Sequence, residues 1–280
     1  MGGREAIFER LSWRTPLYSP DVPFAMCWSQ KAGCTGVLKW FLFHAGLLQD
    51  AMSYEAGKSG RVAVLHRYEN EVLKKAPGYR DALADALAKG LPAFCFLRCP
   101  FERAFSSYLH LHNPLDALYP NRQSPTIQVR RALLRWRYGR EVPLDSVVSF
   151  AEYLAWLQLQ DMHQMEPHHR PQYHPLYDHI TVSFYRLEGQ RVTSEALENR
   201  FGLESTQDMA ADLFDSGHHH PKQRLSAKAT LAFLHTGLPM QRAEDAVLPK
   251  VTRALLEPTD LGQTIAALYA QDIAAYDDAR

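Results

Sequence analysis

Three groups of residues in this chain have the types and spacing to do chemistry on an anion. The first is Lys31-Ala32-Gly33-Cys34-Thr35-Gly36, a lysine and two glycines between the apolar run Phe24–Trp28 and a second apolar run that begins at Val37. A strand, a tight loop and a helix start fit that pattern. Glycine lets the backbone turn so that its N–H groups face a ligand, the helix N-terminus adds partial positive charge, and Lys31 adds a full one. The second is Arg98 at the end of the apolar run Ala93–Leu97, with Pro100 placed to open a helix and Ser106 about two turns along it. There an arginine fork and a hydroxyl can meet one oxyanion. The third is His66, a residue able to take a proton near neutral pH, with Glu69 as the alternative base.

The loop is not a Walker A sequence, because Val37 stands where Lys-Ser/Thr would follow the second glycine. An ordinary magnesium-dependent ATPase or GTPase is therefore disfavoured. His218-His219-His220 have no matching carboxylate spacing and point in divergent directions, so they predict no metal site.

The segments that must position these residues alternate strand and helix. Phe24–Trp28, Arg61–Leu65, Ala93–Leu97 and His179–Tyr185 read as strands, and Asp81–Lys89 reads as an alanine-rich helix. The expected fold class is α/β, a central parallel sheet with flanking helices. On that reading His66 directly follows a strand and shares the ligand-binding edge of the sheet with Lys31 and Arg98. Both glycines, 33 and 36, belong to the turn. Prolines 114, 120 and 125 followed by the basic stretch Arg130–Arg140 mark 113–150 as a helical insertion. The arginines there read either as a solvated face or as a surface for an anionic polymer or headgroup. The remainder, 190–280, reads as helical, with helices over Ser194–Arg200, Ser226–His235, Arg242–Leu256 and Gly262–Asp277.

At 280 residues the chain is long enough for one sizeable core, and a single domain with insertions is expected. Formal net charge is zero, so no global field draws it to nucleic acid, and an anion site must be built locally. Charges at Arg4, Glu5, Glu9, Arg10 and Arg14 interrupt the amino end, which reads as neither signal peptide nor membrane anchor; a cytoplasmic enzyme with no transmembrane segment is expected. The four cysteines Cys27, Cys34, Cys95 and Cys99 lack zinc-type spacing and read as reduced.

The chain resembles the sulfotransferases that use 3′-phosphoadenosine 5′-phosphosulfate (PAPS), most nearly the Golgi-type carbohydrate sulfotransferases and their bacterial relatives. The matching residues are Lys31-Ala32-Gly33-Cys34-Thr35, then Phe96-Leu97-Arg98-Cys99-Pro100-Phe101-Glu102-Arg103 with Ser106 eight after the first arginine. A looser match runs through His168-His169-Arg170-Pro171-Gln172, Tyr177-Asp178-His179-Ile180 and Phe184-Tyr185-Arg186-Leu187-Glu188, so the likeness covers roughly residues 22 to 235. His169 stands in place of a tryptophan, a cysteine pair after Gln172 is missing, and Cys99 replaces an aspartate.

The resemblance implies a P-loop-like, sulfotransferase-type nucleotide fold and in-line sulfuryl transfer from PAPS to a hydroxyl of a carbohydrate or glycolipid, with a histidine base and no metal. It implies that Lys31 to Gly36 hold the phosphosulfate, that Arg98 and Ser106 hold the 3′-phosphate, and that Lys222 or Arg224 closes a late basic loop over the nucleotide. Lys31 and His66 are the catalytic candidates, His163, His168 and His174 are candidates for the acceptor cleft, and the 113–150 insertion becomes acceptor-facing. The alternatives are a P-loop-like phosphotransferase and a non-catalytic nucleotide- or carbohydrate-binding module. Acceptor identity and oligomeric state are open.

Overall fold

The computed structural model of the chain describes residues 3–12, 14–54, 61–112, 124–214, 222–223, 225–238 and 248–280, with the backbone alone at 61–63 and 222–223. In chain order its elements begin with α1 (Arg4–Arg10), β1 (Ala25–Cys27), α2 (Cys34–His44), α3 (Leu48–Ser53) and α4 (Arg61–Tyr68). A π-helical turn (Glu69–Leu73), α5 (Tyr79–Ala88), β2 (Ala93–Leu97), α6 (Pro100–His110), α7 (Pro125–Tyr138) and α8 (Phe150–Leu157) follow. The last part holds β3 (Val182–Arg186), α9 (Gln190–Phe201), α10 (Ala210–Phe214), β4 (Lys222–Gln223), α11 (Ala227–Thr236), β5 (Leu248–Pro249), α12 (Arg253–Leu256), α13 (Asp260–Leu268) and α14 (Ala270–Asp277). Two compact units divide the chain: Met1–Arg98 with Gln172–Gly217 and Ala275–Arg280, and Cys99–Pro171 with His218–Ala274.

The first unit is α/β. β1, β2 and β3 form a parallel sheet with β2 in the middle, in a register that sets Ala25 against Ala93, Cys27 against Cys95, and Leu97 against Arg186. Every residue of β1 and β2 is buried, as expected of strands covered on both faces. The two-residue period of a strand then sorts the side chains. Phe24, Met26, Phe94 and Phe96 pack with Val37, Leu38, Trp40 and Phe41 of α2. Ala25, Cys27, Ala93, Cys95 and Leu97 pack with Ile7 of α1 and Leu83 and Leu87 of α5.

The expected strand at Arg61–Leu65 is instead part of α4. Its valines favour a strand locally, but no glycine or proline stops the run before Tyr68, and Val64, Leu65 and Tyr68 are all buried at helical spacing. The sheet therefore passes directly from β1 to β2.

The second unit is mainly helical. Ser124 caps α7 through Ile127 N–H with Pro125 at the first helical position, and Ser149 with Glu152 forms a capping box at α8. Arg130 belongs to no basic surface: it is completely buried, and its guanidinium donates to the carbonyls of Leu144 (2.6 Å), Ser146 (2.9 Å) and Leu111 (3.3 Å). The helix expected over Arg242–Leu256 is only partly a helix. Residues 241–247 lie outside the described residues, Leu248–Pro249 pair in parallel with Lys222–Gln223, and only Arg253–Leu256 is helical. The helix expected over Gly262–Asp277 is two helices, broken at Tyr269, whose ring is buried and whose hydroxyl donates to the His169 carbonyl at 3.0 Å. Among the described residues no helix is long and apolar enough to cross a membrane.

Candidate functional site

The loop after β1 bends through two left-handed residues, Lys31 (φ 67°) and Gly33 (φ 69°). For a lysine that conformation costs about 1–2 kcal/mol, and it is held by contacts to both sides of the turn. Ala32 N–H donates to Ser29 O at 3.2 Å, and the Arg98 guanidinium donates to the Lys31 carbonyl at 3.2 Å. Gly33 is favoured by its positive φ, and a Cβ there would also displace the tip of the Leu187 side chain, 2.4 Å away at Cδ1. Gly33 is also the N-cap of α2 and offers no capping side chain, and the helix's first turn carries no acidic residue. Its leading N–H groups and its dipole thus favour an anion.

Gly36 has a different role from the one expected. It lies inside α2, buried, where a Cβ would come within 3.3 Å of the Phe214 ring and 3.4 Å of Gln190 Nε2; it is a packing glycine and does not shape the turn. Thr35 is buried in the first turn of the same helix.

Arg98 follows β2 directly, at the carboxyl end of the strand that pairs with β1. Its backbone is fixed by the fully buried Gln172, whose Oε1 accepts from Arg98 N–H (3.0 Å) and from Ser29 Oγ (3.5 Å), while Nε2 donates to Arg98 O (2.9 Å). One amide thus ties the ends of β1 and β2 together and sets where both cationic residues emerge. Sequence reasoning noticed Gln172 only as part of a motif and gave it no role. Replacing it with leucine would leave Arg98 N–H and C=O without their partner, and a loss of about 3 kcal/mol is expected, each unpaired buried group costing about 1–3 kcal/mol. Urea unfolding checks this, and an unchanged midpoint would remove the residue from the account.

His66 sits on α4, not at the end of a strand, and the helix turns it toward the loop. Its Nε2 is 3.6 Å from Cys34 Sγ and its Nδ1 is 3.0 Å from Glu69 Oε2. Glu69 Oε1 accepts from Trp28 Nε1 at 3.1 Å and from Lys74 Nζ. The Trp28 ring lies 5.2 Å from the imidazole, and Lys74 stands over the Trp28 ring. Burial, the largest single influence, pulls the histidine toward the neutral form, but the bonds and charges of Cys34 and Glu69 outweigh it and raise its pKa to about 10. Burial likewise favours the neutral acid at Glu69, yet Lys74 and His66 hold the carboxylate below its usual range.

Two expectations change as a result. In the free protein His66 is a cation across the neutral range and does not titrate near six and a half. The Glu69 side chain has no exposed surface, whereas the His66 side chain is 26% exposed. Glu69 orients the ring.

Ser106 lies on α6 in the second unit and is half-buried. Lys222 is in β4, where the backbone alone is described; Arg224 and the run His218–His220 lie outside the described residues, as does 113–123 of the expected insertion. His168 pairs with Glu166 at 2.6 Å, and His174 caps a short helical turn by accepting from Leu176 N–H. None of the four cysteines is in a disulfide. Among the described residues no cluster of three His, Cys, Asp or Glu side chains is arranged to hold a metal. No family model, curated protein or solved structure matches the chain.

Proposed function

We propose that this chain is a sulfotransferase that moves a sulfuryl group from PAPS to a hydroxyl of a carbohydrate or glycolipid acceptor, without a metal, on a P-loop-like nucleotide fold. The observation that carries the reading is the junction of Lys31 and Arg98: two cationic residues at the carboxyl ends of adjacent parallel strands, linked by a guanidinium-to-carbonyl bond, beside a helix N-terminus without a capping side chain. Strand ends of this kind are where α/β sheets bind ligands, and the donor set fits a nucleotide with phosphates at both ends.

PAPS supplies the sulfuryl group, and the protein's part is position and charge. Lys31 neutralises the charge that grows on the oxygen between phosphorus and sulfur as its bond to sulfur breaks, an interaction stronger in the transition state than in the ground state. The turn from Ala32 to Cys34 and the first turn of α2 receive the phosphosulfate. His66 takes the proton of the acceptor hydroxyl after passing its own Nε2 proton to Cys34. An anion held in the loop favours that transfer, because it makes a thiolate at Cys34 less stable.

Calorimetric titration with 3′-phosphoadenosine 5′-phosphate, with adenosine 5′-phosphate and magnesium-ATP as controls, tests the reading. Micromolar binding that depends on the 3′-phosphate is the expected result. A preference for magnesium-ATP points to the phosphotransferase, and nucleotide binding with no hydrolysis of PAPS points to a binding module.

A further inference from the structure

Cys34, His66 and Glu69 form a relay that anion binding alone does not require. Of the four reduced cysteines, Cys27, Cys95 and Cys99 are buried and Cys34 alone is partly accessible. It is the first residue of α2, a helix of eleven residues. Thiol, imidazole and carboxylate stand in sequence at 3.6 Å and 3.0 Å, supplied by α2, α4 and the π-helical turn. Trp28 and Lys74 fix the buried carboxylate in turn.

We infer that Cys34 is a nucleophilic thiolate maintained by the His66–Glu69 pair, and that it is a modification site at which hydroperoxides oxidise this chain. The Glu69 carboxylate keeps a proton on Nδ1, which leaves Nε2 to exchange its proton with Sγ. Moving that proton to Nε2 gives a thiolate facing an imidazolium, and the α2 N-terminus stabilises the negative sulfur. The ionisable groups acting on the ring are Cys34 from α2 and Glu69 from the turn; Lys74, which follows that turn, faces Glu69, and Trp28 adds a neutral ring beside the imidazole.

With hydrogen peroxide as oxidant the thiolate attacks one peroxide oxygen. An S–O bond forms as the O–O bond breaks, sulfur gives up two electrons, and the departing hydroxide takes the Nε2 proton and leaves as water. The product is a sulfenic acid beside a neutral imidazole.

The test is labelling of the wild-type protein with iodoacetamide, without nucleotide, between pH 6 and 8, read peptide by peptide by mass spectrometry. Cys34 is expected to label ahead of the three buried cysteines, with a rate that changes by no more than about threefold over that interval, whereas an ordinary thiol titrating near 8.5 gains roughly tenfold per pH unit. An ordinary slope at Cys34, or labelling of a buried cysteine first, overturns the proposal. His66→Gln should restore the ordinary slope and slow labelling at pH 6 by about tenfold or more; an unchanged rate in that variant overturns the assignment of His66. Hydrogen peroxide followed by dimedone should then trap Cys34 as its adduct, and a fast-alkylating protein that gives no adduct overturns the peroxide step. Since no nucleotide is present, these outcomes are independent of whether PAPS is the donor.

Discussion

Lys31→Ala is expected to cut turnover by about 10²–10³-fold while changing the affinity for 3′-phosphoadenosine 5′-phosphate by no more than about tenfold. The asymmetry follows from where charge develops. In the proposed mechanism a cation beside the breaking bond acts mainly on the transition state, while turn N–H groups, the α2 N-terminus and Arg98 continue to hold the ground-state anion. The substitution is clean at the level of backbone. Alanine tolerates φ 67° no better and no worse than lysine, and the bond that holds this turn comes from Arg98 to a main-chain carbonyl that the substitution retains. Release of 3′-phosphoadenosine 5′-phosphate from PAPS with water as acceptor measures the effect without knowledge of the natural acceptor. Full activity in this variant sinks the mechanism, and loss of affinity without loss of turnover would reduce Lys31 to a binding group.

What the sequence revealed and what it hid divide along a physical line. The β1–loop–α2 and β2–Arg98–α6 segments were legible because each is local: an apolar run of strand length, a turn residue or proline, then helical spacing, all within about twenty residues. The same local logic failed at Arg61–Leu65, where the decision belongs to residues further along. Tyr68 and Leu65 join the core on the aromatic face of the sheet, and only a helix brings them there together. With the strand went the placement of His66; its partner Cys34 was legible only as a loop residue, and thirty-two positions separate the two.

Gly36 and Arg130 carry the same lesson from the side of packing. A glycine near such a loop reads as a turn, but this one lies inside α2, where a Cβ would press on the Phe214 ring at 3.3 Å. An arginine in a run of arginines reads as solvated, but three carbonyls at the ends of other segments enclose Arg130. Gln172, distant in sequence from Ser29 and Arg98, is the extreme case: its role exists only after the sheet has formed, and no property of the residue in isolation distinguishes it.

Arg98→Ala should weaken 3′-phosphoadenosine 5′-phosphate binding by about 100-fold, the value of roughly 2.7 kcal/mol expected for a lost charge-assisted, forked contact to phosphate. Adenosine 5′-phosphate, which lacks the second phosphate, should lose far less. In that proposal Arg98 is more than a ligand group, because its guanidinium also holds the Lys31 carbonyl at 3.2 Å and so supports a strained turn. Turnover should therefore fall as well, by about tenfold, as Lys31 loses part of its fixed position. Arg98→Lys separates the two contributions. It keeps the charge but gives up the planar fork, so it should recover much of the phosphate affinity while leaving the Lys31 turn less constrained. Calorimetry with the two nucleotides, set beside the rate of PAPS hydrolysis, reads both effects. Equal losses for both nucleotides would instead put Arg98 at the 5′ end, where its bond to the Lys31 carbonyl already brings it close.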